Sequence, residues 1–143
     1  MKKSIVSIFI LFPLMFLGSV NSYAGLVVVV HPSNSLQAIS KENLKRIYLS
    51  KKKKFSDGSL ISPLDHPKDS ETKKIFYKEV VGKSLSQVSS YWSRLIFSGK
   101  GIPPRVMRGD EEIKVWVASH SEGIGYINEN NTDNSVKVIL NIK

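Results

Sequence analysis

The sequence contains no cysteine and only three histidines among its 143 residues. The absence of cysteine excludes disulfide bonds, thiolate metal sites and a catalytic cysteine, so the fold must be stabilised by its hydrophobic core. The histidines, His31, His66 and His120, are far apart in the sequence and lack the spacing of metal ligands. No metal site and no cofactor are therefore predicted.

Long apolar runs are missing except near the N-terminus. There, Lys2 and Lys3 precede an apolar run at residues 5–17, and Ser22-Tyr23-Ala24 supplies small residues at the −3 and −1 positions of a cleavage site. This pattern predicts a secretory signal peptide over residues 1–24, with an uncleaved membrane anchor as the alternative. The run is shorter than the ~20 residues of a membrane span. Residues 25–143 are then expected to form one domain in the periplasm, without stable membrane insertion after cleavage.

Acidic residues are scarce, with 12 Asp and Glu against 21 Lys and Arg. The formal charge is +9, and it is +7 without Lys2 and Lys3. Such an excess attracts anions, including phosphate-like ligands, acidic glycans, lipid headgroups and acidic proteins, and it also favours solubility. Because a secreted protein has little access to nucleic acid, no nucleic-acid partner is predicted.

The rest of the chain alternates predicted strands and helices. The apolar run Leu26–Val30 has no polar alternation, which is typical of a strand buried on both faces. Further strands are predicted at residues 60–64, 123–127 and 136–140, and helices at residues 41–49, 70–81, 84–98 and from 110 onward, where Asp110 is the expected cap. Pro63 indicates that its strand ends there or lies at an edge. This order predicts an α/β fold, a three-layer sandwich with a mixed sheet.

Two segments carry charge or hydroxyl groups in patterns that indicate binding. Lys51–Lys54 is a run of four lysines, interpreted as a solvated loop or as a docking patch for an anionic surface. Residues 60–81 form a strand, a polar turn and a helix, and the free N–H groups at a helix start favour anions. Ser70 and Thr72 place two hydroxyl groups there, although Ser, Thr and Asp also begin many helices simply as caps.

Several segments, in order, resemble the phosphate-binding periplasmic component of ABC phosphate importers, a type II periplasmic binding protein. The resembling stretches are VVVVHPSN at 27–34, LKRIYL at 44–49, the strand-turn-helix at 64–76, GDE at 109–111 and GIGYI at 123–127. The resemblance is strongest to small secreted proteins that keep one lobe of this fold. It implies a solute-binding protein related to transport, and it does not imply an enzyme.

The resemblance also implies which residues bind the anion. The family carries R-S-D-G-S-G-T at residues 66–72, and only Ser70 and Thr72 are retained. His66 replaces the arginine, Lys68 replaces the aspartate, and Glu71 replaces the second glycine. The implied oxyanion site consists of Ser70, Thr72, Lys68 and His66, with Ser33, Asn34, Gly109 and Asp110 as additional contacts.

The sequence leaves three interpretations of His66 open: a residue on the surface of the lobe, an anion ligand when protonated, or a metal ligand.

The sequence also leaves two functions open. The first is weak binding of phosphate or a similar oxyanion by a single lobe. The second is an adaptor that has lost its ligand and docks its basic face on another envelope protein or sensor. An enzyme built on Ser70, His66 and Asp65 is not predicted, because three neighbours on one turn do not make a triad without geometry.

Overall fold

The computed structural model describes residues 25–143, so the predicted signal peptide lies outside the described residues. The strands are β1 (Leu26–Val30), β2 (Ser62–Asp65), β3 (Arg105–Val106), β4 (Gly123–Asn128) and β5 (Lys137–Ile142). The helices are α1 (Lys41–Tyr48), α2 (Glu71–Phe76), α3 (Leu85–Phe97) and α4 (Asp110–Ser119). A π-helical segment, Tyr77–Val81, continues α2, and a 3₁₀ turn, Glu129–Asn131, follows β4.

The strands form one sheet in the order β3-β2-β4-β1-β5. β1 is antiparallel to β4 and β5, whereas β2 is parallel to both β3 and β4. The sheet is therefore mixed, as predicted. The carboxyl ends of β2, β3 and β4 lie at one end of the sheet, and the carboxyl end of β1 lies at the other.

Helices cover both faces of this sheet, which confirms the three-layer α/β sandwich. All five residues of β1 are buried. Val28 and Val30 pack into a cluster with residues of α1, α2 and α3. Val27 and Val29 pack into a second cluster with residues of α4. The unbroken apolar run was therefore a correct indication of a strand covered on both sides.

The predicted helix ends are mostly confirmed. Ser84 and Gln87 form a capping box at the start of α3, and Gly82 ends the π-helical segment with a left-handed φ of 72°. Asp110 was wrongly predicted as a cap: Gly109 occupies the N-cap position, and Asp110 is the first residue of α4. Its side chain instead bonds beyond its own helix, as described below.

The predicted strands are confirmed with shifted ends, and one strand was missed. β2 begins at Ser62 and extends through Asp65. β2 pairs with β4 on one side and with β3 on the other. Because the pairing with β3 begins only at Leu64, Pro63 has a strand neighbour on one side only, as at the edge of a sheet. The missed strand, β3, has two residues, which is too short to show a periodic pattern.

Candidate anion site

The turn between β2 and α2, residues 66–70, lies at the carboxyl ends of the parallel strands β2, β3 and β4. Ligands of open α/β sheets bind outside the carboxyl ends of the strands. The turn is closed by a hydrogen bond from the Ser70 amide to the Pro67 carbonyl, at 3.0 Å. The predicted oxyanion residues His66, Lys68 and Ser70 therefore lie at an end of the sheet that suits a binding site.

Ser70 is the N-cap of α2. Its backbone is extended, with φ −70° and ψ 129°, and its Oγ accepts a hydrogen bond from the Lys73 amide at 3.3 Å. Since the oxygen accepts in this bond, the hydroxyl proton can still be donated to an anion. Thr72 is half-buried in the first turn of α2, and Lys68 is exposed. Among residues 25–143, Lys68 forms no ion pair within 4 Å.

His66 is buried, with 3% of its surface exposed, so the interpretation as a residue on the lobe surface is wrong. Its Nε2 lies 2.8 Å from the Tyr126 carbonyl oxygen and 3.5 Å from Asp110 Oδ1. Because a carbonyl oxygen only accepts, Nε2 carries the proton in this contact. Nε2 is therefore engaged inside the protein, and only Nδ1 is left to face another group.

A buried carboxylate, Asp65, lies next to this turn with 3% of its surface exposed. Asp65 accepts hydrogen bonds from the Tyr77 hydroxyl at 2.7 Å, the Tyr126 hydroxyl at 2.5 Å and the His66 amide at 2.9 Å. Lys73 Nζ lies 3.4 Å from the same carboxylate. A buried charge needs such a partner and such hydrogen bonds, because its transfer from water is otherwise very unfavourable.

The tyrosines of this cluster are donors at all physiological pH values. Burial raises the pKa of Tyr77 and of Tyr126, and the negative charge of Asp65 raises it further. Burial and Asp65 likewise raise the pKa of Tyr48, whose hydroxyl donates to the Leu64 carbonyl at 2.8 Å. The three hydroxyl groups thus keep their protons and fix the end of β2 in place.

This cluster was not predicted from the sequence. In the sequence, Lys73, Lys74 and Lys78 form a basic side of the helix predicted at residues 70–81, a pattern that is typical of a solvated face. The Lys73 side chain is nevertheless only 16% exposed and folds back to Asp65. Tyr77 and Tyr126 fit the apolar pattern of a core, which hides the role of their hydroxyl groups. The one available signal was an acidic residue directly after the apolar run at residues 60–64.

Asp110 and Gly109 lie at the same end of the sheet as His66. Asp110 Oδ2 accepts from the Asn128 amide at 3.0 Å and from Asn131 Nδ2 at 2.7 Å, which joins the start of α4 to the end of β4. Gly109 has an extended backbone, with φ 166°, and a Cβ there would meet nothing within 4 Å. The structure thus brings Asp110 and His66 together.

Ser33 and Asn34 lie at the opposite end of the sheet. They follow β1, whose last residue, Val30, pairs with Ile124 near the amino end of β4. The Ser33 hydroxyl lies 2.7 Å from His31 Nδ1. Asn34 Oδ1 accepts from the Leu36 amide. The structure does not bring these two residues to the turn at 66–70, and one small ion cannot contact both places.

Neither a metal-binding group nor a membrane-spanning helix is found in the described part of the chain. No group of three or more His, Asp or Glu residues between 25 and 143 is arranged to hold a metal ion. No helix in this range combines the length and the apolar character needed to cross a membrane.

Solved structures of other proteins are similar to this chain, and three of them are described here. The first, from Clostridium perfringens and described as a phosphate ABC transporter substrate-binding protein with bound phosphate, has a TM-score of 0.68 at 20% identity. An ABC-type phosphate transport receptor from Vibrio cholerae has a TM-score of 0.66 at 20% identity. PstS from Borrelia burgdorferi has a TM-score of 0.62 at 13% identity.

The described chain has the fold of one lobe of a periplasmic binding protein. Each match covers 81% of this chain but only 44%, 45% and 46% of the three other chains, so this lobe spans less than half of their length. No family model matches the sequence, and a comparison with curated proteins finds no relative. At these identities the likeness shows the fold of the lobe, and its ligand has to be argued from its own residues.

Proposed function

We propose that this lobe binds phosphate or a similar oxyanion, weakly and one to one, at the turn of residues 66–72. The observation that carries the proposal is the likeness to the Clostridium perfringens protein, which was solved with phosphate bound. The residues of this chain also support the proposal, because hydroxyl groups and an exposed lysine lie at the carboxyl end of β2.

In this proposal the residues of the site have two kinds of role. Ser70 and Thr72 donate their hydroxyl protons to the anion, and Lys68 supplies positive charge. His66 supports the turn through Tyr126 and can reach the anion only through Nδ1. Asp110 helps to hold His66 in place. Its Oδ2 is fixed by hydrogen bonds from Asn128 and Asn131 at the end of β4, and its Oδ1 lies 3.5 Å from His66 Nε2.

A single lobe leaves the anion partly in water, which is why the binding is expected to be weak. Two hydroxyl donors and one exposed lysine, at roughly 1 kcal/mol each net, amount to about 3 kcal/mol, which corresponds to a dissociation constant of about 6 mM. A site of this kind is also sensitive to salt, because exposed charges are screened over ~8 Å at physiological ionic strength.

The same proposal places the protein in the periplasm. Residues 1–24 would direct export, and the lobe would then serve as a solute-binding protein related to ABC phosphate transport. Its role would be to bind its ligand and not to transform it.

The proposal is tested by calorimetric titration of the purified protein with phosphate and sulfate at low salt. We expect saturable one-to-one binding that is lost when Ser70→Ala is combined with Thr72→Ala. Ser70→Asp alone should also abolish binding, because Asp keeps the N-cap acceptor but repels the anion. Ser89→Ala with Ser90→Ala, on the exposed side of α3, is the matched control. Equal affinity in the double mutant and the wild type would remove Ser70 and Thr72 from the site.

A further inference from the structure

A groove with a volume of about 550 Å³ lies at the amino ends of β2 and β3. Its lining includes residues 60–63, where β2 begins, and two loop segments that we call its walls. One wall is the loop of residues 99–104 before β3. The other wall consists of Ser50, Lys52 and Lys53, which follow α1. The candidate anion site lies at the carboxyl ends of the same strands, so the two places share no residues.

The groove presents large apolar side chains to solvent. Leu60 is 64% exposed and Ile102 is 85% exposed. Pro103, Pro104 and Trp116 add further apolar surface to the lining. Exposed apolar surface gathered in one concave place is typical of a binding site, whereas scattered single residues are normal on any surface.

The polar groups around this apolar surface are positively charged. Lys52, Lys53, Lys100 and Arg105 line the groove, and no Asp or Glu is among its lining residues. Within residues 25–143 none of the four forms an ion pair closer than 4 Å. The groove therefore favours an occupant that combines negative charge with apolar groups.

Both walls are held in place by internal contacts. The Lys52 amide donates to the Arg46 carbonyl at 3.1 Å, and the Lys100 amide donates to the Leu95 carbonyl at 2.9 Å. Gly101 packs so closely on α3 that a Cβ there would lie 3.2 Å from the Trp92 ring. Because the walls are fixed before anything binds, an occupant does not have to order them.

The groove continues into an open edge of the sheet. β3 is the last strand in the sheet order, so its outer edge pairs with no strand of the described chain. Arg105 belongs both to β3 and to the groove. An extended peptide can add its backbone to such an edge while its side chains enter a neighbouring pocket.

We propose that this groove docks an extended, acidic segment of a partner protein that inserts a large apolar side chain between Leu60 and Ile102. Lys52, Lys53, Lys100 and Arg105 bind the flanking acidic residues. A lipid surface fits less well, because a flat membrane does not fill a concave site. The proposal concerns a different face from the oxyanion site and stands independently of it.

The test uses a display library of random twelve-residue peptides selected on the purified protein. We expect the selected peptides to be rich in Asp and Glu around a Leu, Ile or Phe. Their affinity, measured by fluorescence polarisation, should fall about tenfold in Lys52→Glu with Lys53→Glu, because each attractive rim charge becomes repulsive. It should fall comparably in Ile102→Asp. The control is Lys41→Glu with Lys78→Glu, which makes the same change of net charge at exposed positions away from the groove.

The outcomes separate the proposal from its competitors. Amide signals of residues 60–63 and 99–105 that shift in NMR spectra when the consensus peptide is added would support the groove as the site. Peptides without acidic residues, or peptides that bind the two double mutants equally, would overturn the proposal. Sedimentation with phosphatidylglycerol vesicles that depends on Lys52 and Lys53, without peptide selection, would assign the face to a lipid surface instead.

Discussion

At the scale of single residues, Asp65 determines the local structure at the end of β2. One carboxylate receives two tyrosine hydroxyl groups and a backbone amide and lies next to a lysine, all within a buried region. The oxyanion site proposed above lies beside this cluster. Asp65 therefore sets the position from which the turn of residues 66–70 begins.

Replacing Asp65 with Asn is expected to destabilise the protein by about 2–4 kcal/mol. The change keeps the shape of the side chain but leaves the Lys73 charge without its partner. It also replaces one carboxylate oxygen, which accepts from a tyrosine hydroxyl group, with an NH₂ group that can only donate. Urea denaturation measures the loss. The control is Glu79→Gln, at an exposed position of the π-helical segment that carries Tyr77. Its free energy of unfolding should stay within about 0.5 kcal/mol of wild type. A loss below 1 kcal/mol for Asp65→Asn would mean that the cluster does not depend on its charge.

At the scale of elements, the close packing of α4 on β4 depends on a small residue. Gly125 lies in the middle of β4, and a Cβ there would stand 2.5 Å from Ile113 Cγ2 of α4. A glycine inside a predicted strand is typical of close backbone approach, and Gly125 is such a case. Helix and strand could not keep this distance with any larger residue at position 125.

Gly125→Ala is expected to destabilise the fold by about 1–3 kcal/mol, since the added methyl group overpacks a buried contact. Combining it with Ile113→Leu, which removes the clashing Cγ2 methyl group and keeps the number of side-chain carbons, should recover part of the loss. Gly109→Ala is the control, because its backbone is extended and nothing lies within 4 Å of the new Cβ. Thermal melting of the four proteins gives the comparison; equal losses for Gly125→Ala and Gly109→Ala would contradict the packing argument.

The elements were also the part of the fold that the sequence predicted best. Apolar periodicity and capping residues indicated β1, the helices and the returning strand β4, because these signals are local. β3 was not predicted, because a strand of two residues is too short to show an alternation of apolar and polar residues. The hydrogen bond between Tyr126 and Asp65 joins residues 61 positions apart, and no local pattern reports such a pair. The turn of the candidate site was therefore predictable, whereas the cluster beneath it was not.

At the scale of the whole molecule, the buried tyrosines make the free energy of unfolding decrease at alkaline pH. Burial and the charge of Asp65 raise the pKa of Tyr77 and of Tyr126 in the folded protein, while the unfolded chain has the ordinary value of about 10. The folded state therefore holds these protons more tightly. Their contribution is complete below the unfolded pKa and is lost as the pH rises toward the folded values.

We expect the free energy of unfolding to fall above about pH 10, by up to about 1.4 kcal/mol per pH unit for each buried tyrosine. Urea denaturation between pH 8 and pH 11 measures the slope, and phenolate absorbance should rise together with unfolding for the buried tyrosines. Tyr126→Phe should reduce the slope by the share of one residue. Tyr91→Phe, at a half-buried position, is the comparison and should change it less. An unchanged slope in Tyr126→Phe would contradict the assignment.

The position of β1 has a consequence for the order in which the fold can form. β1 is the first strand of the described chain, yet its two neighbours in the sheet are β4 and β5, the last two. About a hundred residues therefore separate β1 in the sequence from the strands with which it pairs. Contacts of such long sequence separation slow folding, because a large loop must close before they form. β1 therefore has neither of its neighbours in the sheet until the chain has been synthesised through β4.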